Sequence, residues 1–326
     1  MPLLPRWCHF GSLLLAATAL AQTGPAPAAS KPATFCEILH RLPPDLIEYS
    51  PTIPYAGESV SPKAAEGAGF QPSAAMNLAL AAARGDAPEA SESWPGVDPV
   101  FAHQTKGGDF GSAPTAAAFT LCELTRALLV VQESPLASQF KDRVDALKPG
   151  VAKAAHWLTA QRGRLMWEDR ASSNRLFAEA EAFLQCGRLL DDPNLVKIGR
   201  QFEDKGMKLF RPADGVFPET GTADPNSEAA SLVHLQEIVA CYPDPRVEDS
   251  IAKGMQWELA HIGPDGTVRT DAKKPVFFGS KMLIGPEKAP SVGEILLALL
   301  YYSERTGDAA SLTAAQHLHQ HYSQPH

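Results

Sequence analysis

Apolar residues along this chain recur every third or fourth position, and Ala and Leu dominate them. Alternating β-branched runs are scarce, so strand signals are weak. The spacing predicts helices over 72–84, 113–133, 135–161, 172–190, 193–210, 226–241, 245–262, 291–306 and 309–321. Ser172-Ser173 and Asn226-Ser227 stand where side-chain oxygens can cap free amides. Pro193 and Pro245 stand where a first-turn proline is tolerated. Pro149-Gly150 is an expected break in the third helix.

The connections alternate. Short ones fall at Ser134, Asp191-Asp192, 242–244 and Gly307-Asp308, and long ones near 85–112, 162–171, 211–225 and 263–290. In a series of antiparallel helices every second connection lies on the same rim, so one end should be elaborated and able to carry function. Helices entered from a long loop are apolar nearly all round, as in 116–131, 176–190, 229–241 and 295–302, whereas 194–210 and 246–262 are amphipathic and charged. A helix apolar on every face is buried and an amphipathic one covers it. The expected fold is all-α, with antiparallel helix pairs in an inner and an outer layer, arranged as an α/α toroid or an open arc.

The first residues do not belong to that pattern. Arg6 precedes an apolar run of about eleven residues from Phe10 to Leu20, too short to span a bilayer, and Ala19 and Ala21 supply the small-x-small pattern of a cleavage site. Residues 1–21 therefore read as a signal peptide, with the mature chain beginning at Gln22 and secreted or periplasmic; an uncleaved anchor is the alternative. Residues 22–71 read as an Ala/Pro-rich tether and an N-terminal arm with one short helix near 35–42, and 72–326 as the helical-pair domain. No later stretch reads as long enough or apolar enough to span a bilayer.

Formal charge is -8, from 29 basic and 37 acidic residues, without a basic run, which argues against a nucleic-acid partner. Cys36, Cys122, Cys186 and Cys241 follow the leader. Three of them lie in apolar helices, where a reduced thiol serves as a small core residue, although export would permit pairing. With no C-x-x-C and no zinc-type spacing, neither a metal nor a cofactor is expected.

Helix pairs repeat at about fifty residues, marked by Gly206-Met207 and Gly254-Met255 and by Asp214-Gly215 and Asp265-Gly266. Ala155, Trp157, Leu158 and Gln161, followed by Trp167-Glu168-Asp169, resemble the unit of α/α toroid proteins and, more loosely, the Gln–Trp repeat of terpenoid cyclases. The stretch from Asp214 through Gly221, with Asp224, looks more like the loops of α/α toroids acting on polysaccharides, namely polysaccharide lyases and unsaturated glucuronyl hydrolases. That resemblance implies a carbohydrate-active toroid over roughly 150–307. The lack of an Asp-x-Asp-Asp cluster argues against a cyclase activity.

The candidate chemistry sits in the long loops. Glu219 is the expected catalytic acid and Asp169 the second carboxyl group, since glycoside hydrolysis uses two carboxyls flanking the scissile bond. Trp167 and Phe217 are candidate stacking platforms for a sugar ring, which Trp94 and Phe110 could join, and Asp214, Asp224 and Glu168 are further acidic contacts. His103, Arg164, Arg269 and Lys281 could supply the base or carboxylate-neutralising group of a lyase. Inner-helix N-termini converging on the rim would favour an anion such as a uronate carboxylate. The terminal histidines His317 and His321 share a helical face but read as a polar terminus.

The sequence thus leads to an exported protein cleaving or trimming an acidic polysaccharide or oligosaccharide, as lyase or hydrolase. A non-catalytic glycan- or protein-binding module is the alternative.

Overall fold

The computed structural model describes residues 34–47, 72–102, 104–111, 113–270, 276–278, 281–283 and 290–323. The signal peptide read over 1–21, most of the tether, the second half of the arm and His103 lie outside these residues. Twelve α-helices occur among them, and the all-α expectation holds apart from one short ribbon. In chain order they are α1 (Phe35–Arg41), α2 (Pro44–Ile47), α3 (Pro72–Arg84), α4 (Ala87–Ser93), α5 (Pro114–Glu133) and α6 (Ala137–Glu168). The series continues with α7 (Ser173–Leu190), α8 (Pro193–Met207), α9 (Pro225–Cys241), α10 (Pro245–Leu259), α11 (Val292–Thr306) and α12 (Ala309–Tyr322). The ribbon pairs β1 (Val276–Phe278) with β2 (Lys281–Leu283), antiparallel.

Local chemistry starts most of these helices. Thr34 and Glu37 form a reciprocal capping box at α1. Asp192, Asp224 and Asp244 each accept a backbone N–H two residues on, and each precedes a proline that opens the helix. The cap of α9 is therefore Asp224 rather than Asn226-Ser227. Pro149 is exposed and leaves α6 unbroken, since Val144, Leu147, Val151 and Ala154 on either side of it are buried and hold the helix in place. The same helix runs on to Glu168, held by buried Leu165 and by the Arg164–Glu168 pair at 2.8 Å. The expected loop over 162–171 consequently shrinks to 169–172, and Trp167 and Glu168 stand on the last helical turn.

Helices α5, α7, α9 and α11 are buried along nearly their whole length and form a consecutive row, with α3 against α5. Helix α1 packs against α3 and α11 and also touches α5 and α9. His40 of α1 bonds the Ala83 carbonyl of α3 at 3.0 Å, while Phe35 meets Tyr301 of α11 edge-on at 5.4 Å. The amphipathic helices cover this row: α6 on α5, α8 on α7, α10 on α9 and α12 on α11. The α7–α8 seam is the tightest, with Phe183 stacked on Phe202 at 5.4 Å. Against the expectation that no stretch after the leader is long and apolar enough to cross a membrane, α5, alone among the described helices, is; it lies buried in this core.

The fifty-residue repeat has a structural counterpart. Gly206 of α8 leaves room for Phe177, and Gly254 of α10 leaves room for Glu228 and Leu232. Gly215 and Gly266 take positive φ, and their α-carbons rest on the backbone carbonyls of Lys253 in α10 and His317 in α12. A Cβ at Gly266 would come within 2.1 Å of the His317 oxygen, so only glycine fits there.

Candidate functional site

The starts of α5, α7, α9 and α11 are stitched together in sequence. Thr115 of α5 donates to Asp169 at 3.1 Å. Ser172, just before α7, donates to Glu219 at 3.1 Å, and Ser227 of α9 donates to the other Glu219 oxygen at 2.5 Å. The Thr220 amide bonds the Ala171 carbonyl, and the Ser291 amide bonds Asn226 at 2.9 Å. The long loop over 208–224 and Ser291, at the end of the next one, thus gather with 169–172 on one rim.

Two of the expected site residues meet there in structural roles. Asp169 is buried and ion-paired with Arg175 at 3.1 Å. Glu219 is half-buried and bridges two serines. Beside Asp169, burial first and then the Asp169 charge push the Glu179 carboxyl well above its usual range. Glu179 lies inside α7, where sequence reading saw only a helix interior.

The other expected contacts scatter in kind. Trp167 is 66% exposed, the one large hydrophobic left open among the described residues, with the Arg170 guanidinium over its ring at 4.7 Å. Phe217 is fully buried between Phe177 and Phe210, at 5.1 and 4.6 Å, so its ring belongs to the core and offers no face to a sugar. Trp94 is likewise buried, against Phe140, and Phe110 stacks on Phe101. Asp224 spends its carboxylate on the α9 cap. Glu168 pairs with Arg164 on the exposed surface of α6. Asp214 is exposed near Arg211, and the exposed Arg269 donates to the Ala260 carbonyl. Lys281 lies on β2, its side chain outside the described residues, as is His103.

A second constellation lies deeper. Cys122, Glu181 and His234 stand eight or nine residues beyond the starts of α5, α7 and α9. At 1.5 Å per residue that is about 12 Å below the rim. Glu181 accepts from or shares a proton with His234 Nδ1 at 2.7 Å, and Cys122 Sγ lies 4.0 Å from the same nitrogen. One turn on, Arg126 donates through one guanidinium nitrogen to both Glu237 oxygens at 2.7 Å and through the other to Glu123. Gln185 donates to Glu181 and accepts from Thr125 at 3.1 Å. His234 is 5% exposed, and its ring faces the half-buried Phe119 at 6.1 Å.

Burial sets the electrostatics of this layer. It pushes the Glu123 and Glu181 carboxyls up and raises Glu237 to about 8, with Arg126 opposing the rise in each. It drives the His234 pKa down, favouring a neutral imidazole, and lifts the Cys122 thiol well above its ordinary value. A neutral imidazole on a buried carboxyl can relay a proton, and the nitrogen, sulfur and oxygen donors can also ligate a metal. Sequence reading missed the layer because its members are spread over three helices, 112 positions apart between Cys122 and His234. The visible hint was Glu, Gln, His and Arg inside otherwise apolar helices.

The four cysteines among the described residues are unpaired, three of them buried. Comparison of the chain with protein-family profiles, with curated proteins and with solved structures finds no match.

Proposed function

We propose that the helix pairs close into an α/α toroid and that the chain is an exported, carbohydrate-active protein which takes an acidic polysaccharide or oligosaccharide at its loop-bearing rim. Helix α1 bridges α3 and α11, the two ends of the row, which supports a closed arrangement over an open arc. The observation that carries the functional reading is the Ser172–Glu219 junction, which draws the carboxyls of Asp169 and Glu219 to one rim with exposed Trp167 close by in sequence. An aromatic face beside Arg164 and Arg170 suits the apolar side of a pyranose ring that bears a carboxylate.

Incubation with a panel of uronic-acid polysaccharides tests this. Lyase action gives an ultraviolet-absorbing double bond, and hydrolysis gives new reducing ends without it. Turnover should fall in Glu219→Gln and in Asp169→Asn. Products formed equally by both variants would remove the catalytic assignment.

The second reading, a non-catalytic glycan-binding module, is favoured by the occupied state of the same carboxyls: Arg175 holds Asp169, and two serines hold Glu219. Saturable binding without products would select it. Neither binding nor products across the panel would reject the carbohydrate reading.

A further inference from the structure

We propose that Cys122, Glu181, His234 and Glu237 form a binding site for a divalent transition-metal ion, zinc in the first instance, in the interior of the helical core. One ligand atom from each residue lies within 4.8 Å of the others, and all four residues are buried. Zinc bonds of about 2.0 Å to nitrogen and oxygen and 2.3 Å to sulfur place tetrahedral ligand atoms about 3.3–3.7 Å apart. Closing the cluster onto an ion therefore needs each side chain to move by an ångström or less, which rotation about its own χ angles supplies.

The donor chemistry narrows the ion. A thiol and an imidazole disfavour calcium and magnesium, which take oxygen, and suit zinc, cobalt or ferrous iron. The surroundings fit a held site as well. Gln185 fixes Glu181, Thr125 fixes Gln185, and Arg126 clamps Glu237, so the ligand carboxylates are oriented from behind.

Charge points the same way. Glu123, Glu181 and Glu237 gather three carboxyls in the layer that holds the Arg126 guanidinium. Binding a divalent ion releases the Cys122 proton, and the ion then supplies positive charge to the thiolate and the ligand carboxylates. Burying unbalanced charge is costly, so an ion of that valence stabilises the layer that binds it. Four protein ligands without an open position describe a closed, structural site rather than one that activates water. Its position on α5, α7 and α9 would tie three inner helices at one depth.

The test uses the purified full chain, freed of any tag, washed with chelator and equilibrated with Zn²⁺ and, separately, Co²⁺. About one equivalent of zinc should remain after gel filtration, with the unfolding midpoint raised. Cobalt should give the visible bands of a tetrahedral ion and a sulfur-to-metal band in the near ultraviolet. Cys122→Ser should abolish the sulfur band while weakening binding by about 10–100-fold, a result that needs no unfolded variant. His234→Ala and Glu181→Gln should lose the metal, with far-ultraviolet circular dichroism reporting their helicity. A wild-type chain that is helical yet retains no zinc would overturn the proposal. So would a cobalt spectrum that Cys122→Ser leaves unchanged, or stoichiometry that disappears in the His317→Ala, His321→Ala double variant instead.

Discussion

Glu181 of α7 and His234 of α9 meet at 2.7 Å inside the helical core, 53 positions apart in sequence. Around them a buried arginine faces two more carboxyls, and this polar layer is embedded in a wall of Leu, Val, Phe and Ala. Its members depend on one another, because a buried charge that loses its partner cannot be rescued by water.

Arg126 is the residue on which that dependence concentrates. Replacing it, Arg126→Met, strands Glu123 and Glu237, and urea unfolding should show a loss of about 3–5 kcal/mol. A loss under about 1 kcal/mol would mean that the carboxyls carry protons and need no counter-charge.

Glu258 of α10 gives a pH dependence away from that layer. Burial, and then the nearby Glu228, push its carboxyl well above the ordinary range, and Glu228 is raised by its own burial. A raised acid holds its proton in the folded state after the unfolded chain has released it. Its contribution to stability is therefore complete below the unfolded value, near pH 4.5, and is lost as pH rises toward the folded value. Each such proton gives a slope of at most about 1.4 kcal/mol per pH unit. Denaturation between pH 5 and 8 should be less steep in Glu258→Gln than in the parent; identical slopes would mean that Glu258 is ionised when folded.

Two glycine substitutions separate backbone strain from collision. Gly221 has φ +86° with open space around a would-be Cβ, so Gly221→Ala should cost about 1 kcal/mol. Gly266→Ala adds a clash with the His317 carbonyl and should cost at least about 2 kcal/mol more, read by thermal or urea unfolding. Equal losses would place the α12 carbonyl farther from the loop.

Trp167→Ala should leave stability within about 0.5 kcal/mol of the parent, since the side chain is mostly in solvent. It should, however, abolish the binding of uronate oligosaccharides measured by calorimetry. Undiminished affinity would move the glycan away from this rim.

Much of the rod arrangement was legible in the sequence, because inner and outer helices differ in how apolar they are around the axis. Helices α8 and α10 show this in their charged faces, and α5 and α9 in the want of one. The repeated Asp-Gly pairs marked real close approaches at Gly215 and Gly266. Helix α6 was misjudged at both Pro149 and residue 162, since packing of Leu165 and the surroundings of the proline outweigh local propensity. Phe217 was misassigned for a similar reason: a loop aromatic can turn inward, and the amide of Phe217 is fixed by buried Glu228 at 2.7 Å. The Cys–His–Glu layer was hinted at only by polar residues inside apolar helices, because no linear spacing encodes a meeting of three helices.

The glycine seats at Lys253 and His317 have a consequence for the loops above them. Each loop is braced from outside by the second helix after it in the chain, so its foot is anchored independently of its tip. New specificities could therefore be grafted onto exposed side chains at this end, away from the positive-φ positions Thr220 and Gly221, without retuning the scaffold underneath.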